Sequence, residues 1–152
     1  MAGRIVVGVD GSEQSIDALR WAADEAKLRG AELVAVHAWT FSPPVAVGTP
    51  DMMAMPAGNI AEELDLDREM AERALNDSIE TALGPSPGLA IERLLVEDAP
   101  GEGLVTAARD ADLLVVGTHG RGRIAQALLG SVSQHAAQHA TCPVVIVRHR
   151  DD

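Results

Sequence analysis

The sequence predicts an α/β fold, namely a single-domain open five-stranded parallel sheet with helices on both faces. Two observations support this prediction. Short apolar runs rich in Val, Ile and Leu alternate with longer helical stretches along the chain. Hydrophobic residues make up 47% of the chain and aromatic residues only 2%, and an aliphatic core suits parallel strands that are buried on both faces. Because 152 residues fit one compact unit, we assign residues 1–152 to one domain.

The first strand and helix are predicted from the start of the chain. A β-branched run over residues 5–9 ends at the turn residues 10–12, which is typical of a buried strand. Ser12 is a good N-cap for a helix that ends near Gly30. A second strand follows over residues 33–39. The apolar positions of the helix recur every three or four residues and form one face: Ile16, Leu19, Ala23 and Ala26.

Residues 40–59 have a different composition from the rest of the chain. They contain four prolines and three methionines, and the prolines argue against any regular element here. Two interpretations remain open. The segment is either a long surface connection, or a lid or partner-contact loop, because long loops in compact domains are often functional.

The rest of the chain continues the alternation of helices and strands. The predicted elements are a helix over 60–83 with Leu64, Ala71, Leu75 and Ala82 inside, a strand over 89–96, a helix over 98–109 capped by Asp98, a strand over 112–117, a helix over 131–139 and a strand over 143–147. Such alternation predicts right-handed crossovers and a Rossmann-like sheet of order 3-2-1-4-5. Ligands of such sheets bind beyond the carboxyl ends of the strands.

Charge and composition exclude several classes of function. There are 12 Lys and Arg against 23 Asp and Glu, a formal net charge of −11, so the surface repels nucleic acid. No apolar stretch reaches the roughly 18 residues that a membrane helix needs. With Cys142 as the sole cysteine, no intrachain disulfide can form, which agrees with a reducing compartment. We therefore expect a cytoplasmic protein without nucleic-acid or membrane partners.

A glycine-rich loop follows the fourth predicted strand. It runs through Gly117-Thr118-His119-Gly120-Arg121-Gly122-Arg123, and Gly130-Ser131-Val132-Ser133 then opens the next helix. Glycines let backbone N–H groups approach a ligand, and a helix N-terminus favours an anion. The hydroxyl groups and the two arginines add donors and positive charge. The loop is neither a P-loop nor a dinucleotide fingerprint. It predicts phosphate binding, with a flexible turn and an ordinary helix cap as the competing interpretation.

The spacing Gly117-x2-Gly120-x9-Gly130-Ser131 matches the G-x2-G-x9-G-[S/T] signature of nucleotide-binding universal stress proteins. The chain resembles that family over nearly its whole length. Residues 5–12 look like its first strand and turn, residues 111–117 like its fourth strand, and residues 142–147 like its last strand.

The resemblance implies a site for ATP. Asp10 is expected near the ribose or adenine with Ser12 beside it, and residues 36–38 are expected to offer backbone contacts to adenine. The loop residues are expected around the ribose and phosphates, with 130–133 binding phosphate. The full predicted set is Asp10, Gly11, Ser12, Val36, His37, Ala38, Gly117, Thr118, His119, Gly120, Arg121, Gly130, Ser131, Val132 and Ser133.

The same resemblance implies partners and a function. Family members are typically homodimers that pair through the last strand, here Val144, Val145, Ile146 and Val147. We expect an ATP-binding stress-response or regulatory protein, with a slow ATPase or phosphotransferase, or an AMP or cyclic-nucleotide binder, as the alternatives. No general base is evident, so efficient catalysis is not expected. Asp10 is interpreted either as a ligand of a phosphate-bound Mg²⁺ ion or as a residue that polarises the turn.

Several other side chains have competing interpretations. His135 and His139 have a metal-binding spacing of four, but no further ligand completes a set, so we expect them to face solvent. His119 is interpreted as a ligand contact or as a structural hydrogen-bond partner. His37 is expected to be hydrogen-bonded in the core or at the pocket edge rather than catalytic. Cys142 is expected to be a buried small hydrophobe rather than a redox group.

Overall fold

The computed structural model describes residues 3–41, 60–119 and 129–149. Within them the chain alternates between strands and helices as the sequence predicts. The elements are β1 Arg4–Gly8, α1 Glu13–Arg29, β2 Glu32–Trp39, α2 Ile60–Leu83, β3 Ile91–Glu97, α3 Pro100–Ala107, β4 Leu113–Gly117, α4 Ser131–His139 and β5 Val144–Val147.

The sheet has the predicted topology. Its five strands are parallel and lie in the order β3-β2-β1-β4-β5. The central strand β1 pairs with β2 on one side, where Val6 is opposite Val34, and with β4 on the other, where Val6 is opposite Leu114. The direction of winding therefore reverses between β1 and β4, and the carboxyl ends of these two strands lie side by side.

Each face of the sheet has its own aliphatic core. On one face Ile5 and Val7 of β1 pack with buried residues of α1 and α2, such as Leu19 and Leu75. On the other face Val6 packs with buried residues of α3 and α4 and with partly buried residues of the two edge strands, β3 and β5. Alternate residues of one strand thus serve opposite cores, as expected for a sheet covered on both sides.

Helix α1 has the caps that its sequence predicts. Ser12 has extended backbone angles and its hydroxyl accepts a hydrogen bond from Ser15 N at 3.2 Å. At the other end Gly30 adopts a left-handed conformation with φ of 62°, which glycine reaches without strain. The predicted inner face is confirmed, since all four of its residues are buried: Ile16, Leu19, Ala23 and Ala26.

The predicted cap of α3 is wrong. The N-cap is Ala99, and α3 begins at Pro100. Proline has a φ angle suited to the first helical position and no N–H to satisfy there, so it places the helix start one residue later than Asp98 predicts. The Asp98 carboxylate instead accepts a hydrogen bond from Ala99 N at 2.8 Å. The helix also ends at Ala107, two residues before the predicted end.

Helix α2 contacts the core mainly through its second half. Ala71 and Leu75 of the predicted inner stripe are buried, whereas Leu64 and Ala82 are only half-buried. Ala71 is the first buried residue of the helix. The first eleven residues, 60–70, therefore contribute little to the core.

None of the helices in the described ranges is both long enough and apolar enough to cross a membrane.

Leu75 tests how much α2 contributes to the fold. Its side chain is 1% exposed, so we expect Leu75→Ala to lower the free energy of unfolding by about 2–5 kcal/mol through lost burial and a residual cavity. Leu28 is 83% exposed, and Leu28→Ala should change the same quantity by no more than about 0.5 kcal/mol. Urea unfolding followed by circular dichroism measures both, and equal losses in the two variants would contradict the assigned packing of α2.

Candidate functional site

The candidate site lies where β1 and β4 end, next to one another. After β1 the chain makes a polar turn in which Asp10 Oδ1 accepts hydrogen bonds from Ser12 N at 2.9 Å and from Ser12 Oγ at 2.5 Å. Gly11, between them, has φ of 83°, which favours glycine. One carboxylate oxygen of Asp10 thus holds the turn, in agreement with the turn-polarising interpretation of this residue.

The N-terminus of α1 is closed by the chain's own side chains. Ser12 Oγ accepts from Ser15 N, and Ser12 O accepts from both Ser15 Oγ and Ile16 N at 3.0 Å. Because a capped helix N-terminus has fewer unpaired donors, this end of α1 is a poorer place for an anion than an uncapped one.

The N-terminus of α4 is different because none of the side chains that the structure describes caps it. Its N-cap is Gly130, with φ of −71° and ψ of 166°, and its first turn contains no acidic residue. The first N–H groups of a helix have no partner within the helix, and the helix dipole adds positive potential there. The backbone of Ser131, Val132 and Ser133 can therefore present several donors to an anion.

A set of hydrogen bonds closes the neck of the glycine loop. Thr118 O accepts from Gly130 N at 2.7 Å and from Ser133 Oγ at 2.9 Å, and Ser133 Oγ also lies 3.0 Å from Gly130 O. Thr118 N in turn donates to Val147 O of β5 at 3.1 Å. Ser133 is 1% exposed, so its hydroxyl joins the two ends of the loop. A phosphate contact of this hydroxyl stays a prediction.

Gly117 has a packing role that the sequence analysis did not identify. A Cβ atom at this position would lie 2.8 Å from the carbonyl carbon and oxygen of Gln14. The end of β4 therefore approaches the backbone of the first turn of α1 so closely that only glycine fits. A glycine that ends a buried strand is the one sequence signal that could have indicated this contact.

The carboxyl end of β2 is joined to that of β1. His37 Nδ1 lies 2.7 Å from Val9 O, and since a carbonyl can only accept, this ring nitrogen carries the proton. Val9 N donates to Val36 O at 2.8 Å. His37 is half-buried. As expected, its side chain is hydrogen-bonded at the edge of the site.

The described residues include only part of the predicted nucleotide-binding set. Gly120 and Arg121, with Gly122 and Arg123, lie outside the described residues, and so do residues 42–59 of the Pro- and Met-rich segment. His119 is the last described residue before residues 120–128, and it is half-buried. The structure brings together the ends of β1, β2 and β4 and the start of α4.

A cavity of about 750 Å³ lies between α1 and α2, on one side of this edge. Of the predicted nucleotide-binding residues that the structure describes, only Gly11 lines it. Charged side chains of both helices line it, and His149, which follows β5, joins them. His149 Nδ1 lies 2.6 Å from Asp17 Oδ2, and Nε2 lies 3.3 Å from Glu13 Oε2. These contacts tie the end of β5 to the start of α1.

His135 is half-buried and His139 is exposed, so only His139 faces solvent as expected. The two rings are in contact, with centroids 4.5 Å apart and planes tilted by 42°. Among residues 3–41, 60–119 and 129–149, no group of three or more His, Cys, Asp or Glu side chains could hold a metal ion. Cys142 is partly buried rather than fully buried. Burial is the main cause that raises the pKa of its thiol above the ordinary value, and the Asp112 carboxylate raises it further.

The chain is similar to known proteins over nearly its whole length. The universal stress protein family model matches residues 1–148. The chain belongs to the universal stress protein family. A universal stress protein of Mycobacterium tuberculosis is 38% identical over 144 residues, which is 95% of this chain and 44% of the relative. The chain thus spans less than half the length of that relative.

Two solved members of the family are complexes with nucleotides. A universal stress protein in complex with cAMP is 33% identical with a TM-score of 0.60, and the match covers 95% of each chain. The universal stress protein of Archaeoglobus fulgidus in complex with dAMP is 25% identical with a TM-score of 0.53, covering 95% of this chain and 97% of that one. This chain shares its fold with these two complexes of adenine nucleotides.

Gly117→Ala tests the close approach of β4 to α1. The added methyl group would meet backbone atoms of Gln14 at 2.8 Å, so we expect the free energy of unfolding to fall by about 1–3 kcal/mol. At Gly8 the obstacle is the Leu104 side chain, which can rotate away, so Gly8→Ala should cost less. Thermal unfolding compares the two variants, and a smaller loss for Gly117→Ala would argue against the packing role.

Cys142 should react slowly with alkylating reagents at neutral pH. Because burial raises the pKa of its thiol, the thiolate fraction is smaller than for a free cysteine and grows only as the pH rises above the ordinary thiol range. The rate of iodoacetamide alkylation, followed by mass spectrometry from pH 7 to 10, measures this. Glutathione serves as the reference, and faster labelling of Cys142 than of glutathione at pH 7 would contradict the expectation.

Proposed function

We propose that this universal stress protein binds ATP and that nucleotide occupancy changes its conformation or its choice of partner. The observation that carries the proposal is the N-terminus of α4, which no side chain within residues 3–41, 60–119 and 129–149 caps and which contains no acidic residue in its first turn. It lies at the end of the Gly117-x2-Gly120-x9-Gly130-Ser131 spacing, and an anionic phosphate group suits such a helix end.

The position of the other residues supports a nucleoside next to these phosphates. The turn of Asp10, Gly11 and Ser12 follows β1, and Val36, His37 and Ala38 end β2, so both sets lie at the carboxyl edge of the sheet. Ligands of open α/β sheets bind at this edge where the winding reverses. The complexes of family members with cAMP and dAMP support adenine as the base.

Mg²⁺ fits as a companion of the phosphates rather than as a separately bound ion. The described residues contain no cluster of three acidic or His side chains that could hold a metal. Magnesium usually combines one or two carboxylates with substrate phosphates. We propose Asp10 for this role, although its Oδ1 atom also holds the turn through Ser12.

A second candidate is a site for AMP or a cyclic nucleotide. It is favoured by the family member in complex with cAMP, which is 33% identical to this chain. One phosphate group could occupy the start of α4 by itself. A slow ATPase or phosphotransferase is a weaker proposal because fast phosphoryl transfer needs a group that positions the nucleophile and charge near the leaving phosphate.

We also propose a single cytoplasmic domain that forms homodimers through β5. This strand lies at the edge of the sheet and pairs with β4 on its inner side. Its four residues, Val144–Val147, are apolar and half-buried. An apolar edge strand is prone to pair with another strand, and a second copy could supply one across a two-fold axis.

Ser131→Pro tests whether the backbone at the start of α4 binds phosphate. Proline suits the first helical position, and the extended backbone of Gly130 tolerates a following proline. The variant should fold normally but lose one N–H donor. We expect ATP binding to weaken about tenfold or more, since hydrogen bonds to charged groups contribute about 1.5–3 kcal/mol. Isothermal titration calorimetry measures the affinity.

Ser131→Ala is the matched control, because it removes the hydroxyl and keeps the N–H. If both variants lose affinity equally, the hydroxyl is the ligand. If neither loses affinity, the phosphates bind elsewhere and the proposed site is wrong.

The nucleotide itself can be identified from the purified protein. After denaturation, ion-exchange chromatography separates any released ATP, ADP, AMP and cAMP. Recovery of ATP or ADP near one per chain supports the proposal, whereas tight cAMP binding with little ATP affinity favours the second candidate. Phosphate release above that of a Gly120→Val variant would favour an enzyme. No bound nucleotide and no binding on titration would sink the proposal.

A further inference from the structure

Helix α2 has an exposed apolar patch in the half that contributes little to the core. Leu66 is 56% exposed and Met70 is 60% exposed, and the two side chains lie one turn apart on the helix. The first buried residue of α2 is Ala71. Burial of large apolar side chains is favourable, so this pair is suited to a contact with another molecule.

The patch is part of a stripe with the spacing of a helix–helix interface. Its residues follow one another at intervals of three and four, which places them on one face of the helix. Met70, Arg73 and Asp77 also line the cavity between α1 and α2, together with Ala74, Ser78 and Thr81 of the same helix. We call this stripe the α2 seam; it consists of Glu63, Leu66, Met70, Arg73 and Asp77.

The charges of the α2 seam are arranged so that it complements itself. An acidic residue precedes the two apolar residues and a basic residue follows them. Suppose that a second α2 packs antiparallel and that the two-fold axis crosses the helix at the level of Arg68. Leu66 then lies opposite Met70 of the other copy. Glu63 then lies opposite the other copy's Arg73, and the symmetry repeats each pair. We propose that the α2 seam is a self-association surface that binds the α2 seam of a second copy.

The charges also argue against other occupants. The first turns of α2 contain five carboxylates, which repel nucleic acid and anionic lipid. They would attract a basic peptide, but such a peptide would be repelled by Arg73, which follows the two apolar residues of the seam. Neither Glu63 nor Arg73 takes part in an ion pair with another described residue. A second copy provides an opposite charge for both.

The contact should be weak and reversible. Two apolar pairs and two ion pairs form a small interface, so we expect a dissociation constant on the order of tens of micromolar. Each copy has a net charge of −11, which opposes association. At about 0.15 M salt the Debye length is near 8 Å, so most of this long-range repulsion is screened while the close pairs remain.

The first experiment compares Met70→Glu with Leu28→Glu by sedimentation equilibrium over a range of protein concentrations. Both positions are exposed, at 60% and 83%, and both changes replace an apolar side chain with the same charge. Only Met70 lies in the seam. We expect Met70→Glu to weaken self-association at least tenfold and Leu28→Glu to leave it within about twofold of the wild type. Circular dichroism melts establish that both variants fold.

The second experiment exchanges the charges. Arg73→Glu makes the chain more acidic, and Glu63→Arg makes it less acidic, so net charge alone would move association in opposite directions. We expect each single variant to weaken self-association, because each places like charges opposite one another. The double variant Glu63→Arg/Arg73→Glu should restore association to within about threefold of the wild type.

Two results would overturn the proposal. One is equal association of the wild type and Met70→Glu at every concentration, and the other is a double variant no better than the single variants. Dimer formation through β5 does not confuse the test. If β5 pairs, the α2 seam joins dimers into larger species; if it does not, the seam joins monomers, and the variants are compared with the wild type in either case.

Discussion

The close packing of the β4 end against the first turn of α1 determines the geometry of the candidate site. At Gly117 the two backbones are so near that a Cβ atom would lie 2.8 Å from Gln14. This contact sets the turn of Asp10 and Ser12 beside the strand from which the glycine loop leaves. A larger residue would separate β4 from α1 and change the distance between the turn and the start of α4. The glycine therefore acts on the site through packing, in addition to any contact with a ligand.

The two helices that begin at this edge use their N-termini differently. Helix α1 satisfies its first donors with Ser12, whose hydroxyl is in turn held by Asp10. Helix α4 has glycine as its cap, and among the described residues no side chain caps it. A Ser or Asp cap is worth about 0.5–2 kcal/mol relative to alanine, and glycine is only a few tenths worse than these. An uncapped helix start thus has a modest stability cost and keeps backbone donors available for a ligand.

Local sequence rules predicted the elements that depend on local interactions. The cap at Ser12, the left-handed Gly30 and the buried stripe of α1 follow from residue type and spacing. The strand order agrees with the prediction because alternating strands and helices leave few topologies. The rules failed where two signals competed, as at Asp98, where Pro100 moved the helix start. They also could not predict contacts between distant segments, such as Gly117 with Gln14, because pattern alone does not show which backbones approach.

The candidate site shows the same limit. The spacing of the glycines indicated the loop, but it could not indicate that the Ser133 hydroxyl hydrogen-bonds to Thr118 O and is buried. A serine in a first turn has the same sequence signature whether its side chain is exposed or buried. Its burial depends on the position of β4 and β5 around α4, and its contact with phosphate stays a prediction. Exposure of Leu66 and Met70 is likewise a tertiary property, since their spacing alone is also that of a core stripe.

The closed neck of the glycine loop has a consequence for how the chain can vary. The hydrogen bond between Thr118 O and Gly130 N brings the two ends of the loop together at 2.7 Å, and Ser133 reinforces it. The sheet and α4 are therefore joined at the neck and do not depend on the number of residues in between. Extra residues in such a loop cost little because closure entropy rises slowly with length. An insertion between Thr118 and Gly130 would thus give up the Gly120-x9-Gly130 spacing of the proposed ATP site but keep the scaffold. Related chains could acquire a different ligand or a new binding segment in this way.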